Sequence, residues 1–236
     1  MEHKKRKWGN PFASLTRFEW GLWIGSLIVV SASFLLVPER DFLTLMASLV
    51  GVTALIFVAK GHVIGQALCV VFALFYGIIS FYFRYYGEMI TYLGMSAPAA
   101  VFSVISWLRN PYRDSSEVKV NALTPAHFGI VCGITAVVTG IFYFLLRALN
   151  TANLTFSVLS VATSFLASSL TFLRSPWYAI AYAANDVVLI VLWVLAAIEE
   201  PSYLPMIFCF IMFLFNDGYG FYSWRRMKKR QFIESL

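Results

Sequence analysis

The feature that most constrains this chain is a series of eight apolar stretches, each about 18–23 residues long, the length that spans ~30 Å of hydrocarbon as a helix. They cover residues 18–37, 42–59, 62–83, 89–107, 127–149, 153–173, 177–198 and 201–223. The composition agrees, because 60% of the residues are hydrophobic, 13% are charged and the mean hydropathy is +0.74. A soluble domain could not bury that much apolar surface. We therefore predict an all-α integral membrane protein with eight transmembrane helices.

The basic residues predict an orientation for these spans. If the N-terminus is cytoplasmic, the inner segments hold 15 of the 18 lysines and arginines, and only Arg40, Arg84 and Arg147 lie outside. Such a bias is the pattern of the positive-inside rule. The outer turns also collect acidic residues: Glu39, Asp41, Glu88, Glu199 and Glu200. The sequence thus predicts that both termini are cytoplasmic.

An internal repeat is visible in the spans. The segment VFSVISWLR (101–109) matches GYGFYSWRR (218–226) at an offset of 117, which pairs Trp107 with Trp224, and Lys60 matches Arg174 at an offset of 114. Spans 2–4 and 6–8 are therefore predicted to be two copies of a three-helix unit. A single linking helix, span 5, makes the copies parallel, a transporter plan in which substrate binds between the halves. The predicted segments are 1–40 (basic start and extra helix), 41–111 (first repeat), 112–150 (cytoplasmic loop and linker helix), 151–224 (second repeat) and 225–236 (basic tail).

Two Asn-Asp pairs lie deep in the last two spans. Asn185 and Asp186 are ~12–14 Å along the helix from Trp177, and Asn216 and Asp217 are ~11–12 Å from Trp224, at 1.5 Å per residue. The pairs thus reach similar depth on adjacent helices. Ionisable residues at this depth rarely face lipid and are functional candidates.

Aromatic residues lie one helical turn from each pair, Tyr182 before Asn185 and Tyr219 after Asn216. Rings, amides and a carboxylate suit a planar, cationic heterocycle that carries an amide and a sugar. Two structural alternatives stay open. The amides and carboxyls could join helices to one another, and Trp and Tyr near span ends, Trp224 among them, could form an interfacial belt.

The first half offers fewer candidates, and catalytic signatures are missing. Gln66 is a lone amide in an apolar span, and Trp107 and Asn110 in WLRNP read by spacing alone as an ordinary helix end. The sequence has no P-loop, no HExxH, no GxSxG and no cysteine pair with metal spacing, which predicts neither an enzyme nor a metal site. No Lys or Arg falls in mid-span, so we expect a substrate without phosphate.

The motifs WLRNP, NDGYGFYSW and YAANDVVLIVLW, together with the layout of the spans, resemble the PnuC-type bacterial vitamin transporters over about residues 40–228. The resemblance implies a SWEET-like 3+1+3 fold plus an N-terminal helix, in the bacterial inner membrane. It implies facilitated diffusion of nicotinamide riboside, with thiamine and riboflavin as substrates of relatives. It also implies a cytoplasmic kinase that traps the vitamin by phosphorylation.

Within that family's motifs, Trp107 and Asn110 match a W-x-x-N element, and Asn216, Asp217 and Tyr219 match an N-D-x-Y element. The predicted substrate-binding residues are Gln66, Tyr76, Trp107, Asn110, Tyr182, Asn185, Asp186, Asn216, Asp217 and Tyr219. The expected partners are the vitamin, the bilayer and the kinase, without a cofactor or nucleic acid, and a homo-oligomer stays open. Nicotinamide riboside is a cation without phosphate and suits such a site, but thiamine, also cationic, and a non-transporting membrane protein remain alternatives.

Overall fold

The computed structural model describes residues 10–37, 42–82, 86–113 and 115–234, and within these ranges the chain is helical without strands. Eight helical segments in the described ranges are long and apolar enough to cross a membrane, which confirms the predicted all-α class with eight spans. The helices are α1 (Arg17–Ser33), α2 (Phe42–Ala59), α3 (Val63–Tyr82), α4 (Tyr86–Thr91), α5 (Ala97–Arg109), α6 (Pro125–Ala148), α7 (Leu154–Phe172), α8 (Tyr178–Glu199) and α9 (Leu204–Ile233). The predicted charges at Glu39, Arg40, Asp41 and Arg84 and in residues 1–9 lie outside the described residues.

Six of the elements close into a ring. In spatial order α2 packs on α3, α3 on α5, α5 on α7, α7 on α8, α8 on α9, and α9 returns to α2. The helix α1 lies outside the ring against α2 and α9, and α6 packs on α7. The ring therefore joins a first group of three spans to a second at two seams, α5–α7 and α2–α9.

The fourth span is interrupted where it lines the centre of the ring. A π-helical turn, Tyr92–Ser96, separates α4 from α5. Pro98 lies in the first turn of α5 and has no backbone N–H to give to the preceding turn, so the α-helical pattern cannot run through. Such turns redirect side chains and are frequent at functional sites.

The last helix runs past its predicted end at residue 223 to Ile233. Residues 224–233 contain no Gly or Pro to stop it, and they are rich in helix formers. Gln231 also anchors the extension, since its amide nitrogen donates to the Val118 carbonyl at 3.0 Å and its Oε1 accepts from the Val120 N–H at 2.8 Å.

The segment 110–124, which we call the clamp loop, ties several helix ends together. The Val118 N–H donates to the Gly61 carbonyl in the α2–α3 turn at 2.9 Å, and the Asn121 N–H donates to the Arg174 carbonyl in the α7–α8 turn at 2.9 Å. Gly61 and Arg174 both have positive φ, which lets these tight turns present their carbonyls. One loop thus connects both groups of three spans at the same end of the molecule.

Candidate functional site

A cavity lies at the centre of the helix ring, between the two seams. Its walls come from α2, α3, the π turn and α5 on one side and from α7, α8 and α9 on the other. The cavity has a volume of about 80 Å³. This is enough room for roughly five to eight water molecules. A small aromatic ring fits such a space, whereas a nucleoside requires the walls to move apart.

Two acidic side chains mark the second-half wall. Asp186 on α8 and Asp217 on α9 are 3% exposed each, and their carboxyl groups are close enough to interact directly. Among the described residues that line the cavity there is no Lys, Arg or His. Two neighbouring carboxyl groups that lack a protein cation favour a cationic ligand, because a bound positive charge stabilises the ionised form of the pair.

Polar residues of α7 orient the neighbouring side chains of α8. The Asn185 Oδ1 accepts from the Thr163 hydroxyl at 2.9 Å and more weakly from the Ser160 hydroxyl at 3.4 Å. The Tyr182 hydroxyl is 3.1 Å from the Ser168 hydroxyl. With its oxygen held in this way, the Asn185 amide group is fixed in orientation at the cavity wall.

Several buried polar atoms of the cavity wall have no hydrogen-bond partner among the described residues. They are the Ser96 hydroxyl on the π turn, the Ser103 hydroxyl on α5 and one carboxyl oxygen of Asp186. Buried polar atoms are normally paired, because an unmade bond costs ~1–3 kcal/mol. Their convergence on one space indicates that a polar ligand completes them.

Aromatic residues close one end of the cavity. Phe72, Tyr92 and Phe213 line it, and Tyr92 lies 4.1 Å, centroid to centroid, from Tyr76, which is buried behind it. Tyr76 also meets the rings of Trp193 and Phe210 edge-on, each at 6.1 Å. Tyr76 therefore supports an aromatic wall and does not itself border the space.

The Asn216 and Tyr219 side chains point away from the cavity, toward α1. The Asn216 amide donates to the Ser26 hydroxyl at 3.1 Å and to the Met212 carbonyl at 2.8 Å. The Tyr219 hydroxyl donates to the buried carboxylate of Glu19 at 2.6 Å. In the Asn216-Asp217 pair, only Asp217 thus borders the cavity.

Trp107 and Trp224 meet at the other end, on the clamp-loop side. Both are fully buried, with ring centroids 5.3 Å apart. The Trp107 indole N–H donates to the Thr171 carbonyl at 3.0 Å, and the Trp224 indole N–H donates to the Val58 carbonyl at 2.8 Å. The interfacial-belt interpretation of Trp224 is therefore wrong, because the ring is completely enclosed by protein.

Asn110 lies beyond this tryptophan pair, at the end of α5. Its side-chain amide donates to the Ser106 carbonyl at 2.8 Å and caps the helix. The structure thus brings together Gln66, Tyr182, Asn185, Asp186 and Asp217 at the cavity. It places Tyr76, Trp107, Asn110, Asn216 and Tyr219 elsewhere.

Ser96, Ser103 and the serines of α7 are not among the binding residues predicted from the sequence. A signal was present in α7, where Ser157, Ser160, Ser164 and Ser168 recur every three or four residues and therefore share one helix face. All four are buried in the structure. No group of His, Cys, Asp and Glu that could hold a metal ion occurs in the described ranges.

Comparison with known proteins gives a consistent family. The family model described as "Nicotinamide mononucleotide transporter" matches residues 41–226. Among curated proteins, the nicotinamide riboside transporter PnuC of Neisseria mucosa is 25% identical, over 93% of this chain and 85% of its own. The protein of the same name from Haemophilus influenzae is 23% identical, over 89% and 90%.

The fold has a counterpart among solved structures. A crystal structure of the vitamin B3 transporter PnuC superposes with a TM-score of 0.82 at 25% identity, and covers 93% of this chain and 95% of its own. These relatives are named as transporters, in agreement with the prediction that the chain is not an enzyme. With a family model that matches most of its length and eight membrane-length helices, the chain is a multi-pass membrane protein and belongs to the PnuC-type nicotinamide mononucleotide transporter family.

Proposed function

We propose that this protein carries nicotinamide riboside across the membrane by facilitated diffusion. The observation that carries the proposal is the central cavity, which combines the Asp186–Asp217 pair with aromatic rings and has no basic residue in its described lining. The pyridinium ring of the riboside is a flat cation with an amide group. Carboxylates and ring faces attract the cation, while serine hydroxyls and fixed amides suit the ribose and carboxamide groups.

The same cavity argues for the riboside over the mononucleotide, although the family model takes its name from the latter. A phosphate would enter beside two carboxyl groups and would find no Lys or Arg among the described lining residues. Phosphate sites in proteins normally use such cations or exposed helix N-termini. The curated relatives are themselves named for the riboside.

Transport would proceed by alternating access between the two groups of three spans, which we take to be parallel repeats. The reciprocal tryptophan bonds support this arrangement, since Trp107 on α5 bonds to α7 and Trp224 on α9 bonds to the end of α2. Each bond crosses one of the two seams. Breaking both would open the clamp-loop end while the aromatic wall keeps the other end closed.

The basic residues would place the clamp-loop end in the cytoplasm. There a kinase would phosphorylate the riboside and so prevent its return, which makes net uptake possible without an ion gradient. This order of events needs no ATP site on the transporter itself, and the sequence has no P-loop.

The test is uptake of labelled nicotinamide riboside into proteoliposomes without ATP or an ion gradient. We expect the internal concentration to reach the external one and to stop there. With entrapped kinase and ATP, the total label inside should rise above that level, because the phosphorylated product cannot return. Uptake no faster than into empty vesicles would contradict transport, and accumulation without kinase would contradict facilitated diffusion.

A competition assay tests the substrate. We expect unlabelled riboside to block uptake, and the mononucleotide to block it far less, because of its phosphate. Thiamine is the competitor that the cavity's charge does not exclude. If thiamine displaces the riboside at equal potency, the substrate assignment fails while the transport assignment stands.

A further inference from the structure

A second region with cavities lies on the outer side of the ring, between α1 and α9. Two cavities meet there, and they share Thr16, Tyr219, Tyr222 and Arg226. One, which we call the polar pocket, has a volume of about 400 Å³ and is lined mainly by polar and charged residues, and the other is a mainly apolar groove of about 760 Å³. A polar pocket that continues into an apolar groove is complementary to a lipid, which has a polar headgroup and an apolar chain.

The groove is open and lies between two membrane-length helices. Phe18 and Leu22 of α1 form one side, and Leu214 and Phe215 of α9 form the other. Gly218 lies between them, and a Cβ atom added there would meet nothing within 4 Å. Phe18 and Phe215 are 64% and 61% exposed, so this surface is available to an acyl chain.

Of the three cations among the described residues that line the polar pocket, two are paired with acids. Glu19 is paired with Lys60 at 3.2 Å and also accepts from Tyr219, while Glu117 is paired with Arg230. Arg226 forms no ion pair or hydrogen bond with any part of the chain that the structure describes, yet it lies where the two cavities meet. The neighbouring hydroxyl groups of Thr16, Tyr222 and Ser223 supply further polar contacts.

We propose that α1 and α9 together bind one anionic phospholipid. Its phosphate would lie at Arg226, and one acyl chain would follow the groove past Gly218 toward the middle of the membrane. Basic pockets between transmembrane helices recognise anionic headgroups in this way, and the paired acids do not oppose it, since their charges are already compensated. The groove distinguishes a lipid from a free phosphate, because only the lipid has an apolar chain to fill it.

The site is separate from the central cavity, with which its two cavities share no lining residue. It includes α1, which lies outside the residues 41–226 that the family model matches. A bound lipid would therefore act as a wedge that holds α1 against the ring, next to the Glu19–Tyr219 and Ser26–Asn216 contacts. The proposal does not depend on the substrate.

The experiment measures lipid binding to the purified, delipidated full chain by native mass spectrometry and by thermal shift. Phosphatidylglycerol, phosphatidylcholine and glycerol 3-phosphate are the probes. We expect phosphatidylglycerol to bind most tightly, R226Q to weaken it about fivefold, in line with ~1 kcal/mol for one basic residue, and G218L to abolish retention by filling the groove. R225Q is the charge control, since Arg225 lies over the Phe221 ring and lines neither cavity.

A second control checks the substitution at glycine. Gly21 on α1 also has open space at its Cβ position but lines neither cavity, so G21L should leave lipid binding unchanged. Equal binding of the two lipids, an equal loss in R225Q and R226Q, or full retention in G218L would each overturn the proposal. Displacement of the lipid by glycerol 3-phosphate at comparable concentration would assign the pocket to a free phosphate compound instead.

Discussion

Asp186 and Asp217 show how a single residue's surroundings decide its role. Both are buried at the cavity wall with no basic side chain in the described lining, whereas the equally buried Glu19 has Lys60 and Tyr219 as partners. A buried carboxylate with a protein cation as its partner can hold helices together. A buried acidic pair without such a partner raises the free energy of the empty protein until a ligand supplies the positive charge. The same chemical group thus has a structural role in α1 and a proposed binding role in α8 and α9.

Replacing Asp186 by Asn tests the proposed binding role. The change keeps the size of the side chain and removes the charge, so affinity for the cationic riboside should fall by ~1–3 kcal/mol, roughly 5- to 150-fold. Titration calorimetry of the purified protein measures it. E199Q on the same helix is the control, since Glu199 is exposed at the helix end. Equal affinity in D186N and wild type would mean that this carboxyl is structural.

Asn185 and Asn216 can be separated by a paired alanine substitution. Asn216 holds Ser26 of α1, so N216A should lower thermal stability by ~1–2 kcal/mol while the riboside dissociation constant changes little. Asn185 borders the cavity, so N185A should weaken riboside binding. Thermal unfolding and calorimetry on both variants decide the matter. A larger loss of affinity in N216A than in N185A would restore Asn216 to the binding site.

At the scale of the elements, the two stripes of α9 have different neighbours. On the side that faces the ring, α9 carries Asp217, Gly220 and Trp224. Gly220 packs closely against Tyr178, because a Cβ atom added at residue 220 would lie 3.0 Å from the Tyr178 hydroxyl. Asn216 and Tyr219 face α1. The helix therefore serves two interfaces at once, and a one-residue step in sequence changes which interface a side chain joins.

The tryptophan bonds across the seams predict a measurable opening. W224F keeps an aromatic ring but removes the N–H donor to Val58 and leaves a smaller side chain in a fully buried site. It should therefore destabilise the closed end by at least about 1 kcal/mol and make opening at least about fivefold more frequent. Cys69 lines the cavity, so its alkylation rate reports opening once Cys132 and Cys209 are replaced. We expect W107F to act similarly, because its bond to Thr171 crosses the other seam.

W177F is the matched control for this measurement. Trp177 is 48% exposed and contacts Phe221 within the second group, so its loss should leave Cys69 labelling unchanged. Saturating riboside should slow labelling in every variant. If W224F and W107F label at the wild-type rate, the indole bonds do not control access to the cavity.

The whole molecule is organised around one end, where the clamp loop binds the α2–α3 turn, the α7–α8 turn and the end of α9. These contacts hold both groups of spans in one arrangement at that end. The opposite end is closed by aromatic side-chain packing around Tyr76 and Tyr92. Side-chain contacts of this kind can separate without breaking a backbone hydrogen bond.

The orientation of the whole chain across the membrane can be tested by cysteine labelling. In a variant without native cysteines, K228C lies near the clamp-loop end and A152C lies in the α6–α7 connection at the other end. A membrane-impermeant thiol reagent added to intact cells should label A152C and spare K228C, because the basic end is expected inside. The reverse pattern would place both termini outside.

The sequence by itself determined the number of spans, and it predicted the orientation of the chain and the depth of Asn185, Asp186, Asn216 and Asp217. Apolar length and helical rise are properties of consecutive residues, so they can be read without knowing what lies alongside. Five of the ten predicted site residues border the cavity, and these were found because polar groups in an apolar span are conspicuous. The serines Ser96 and Ser103 were missed, because a small hydroxyl in a helix is unremarkable until its surroundings are known.

Only the tertiary structure decided which polar side chains face the cavity and which face another helix. Asn216 and Asp217 are neighbours in sequence, yet one bonds to α1 and the other lies beside Asp186. The extra helix α1 could not be placed from its own residues, although it supplies the partners of Asn216 and Tyr219. The reason is physical, since in a bundle the role of a side chain is set by the helix packed against it, and that neighbour is far away along the chain.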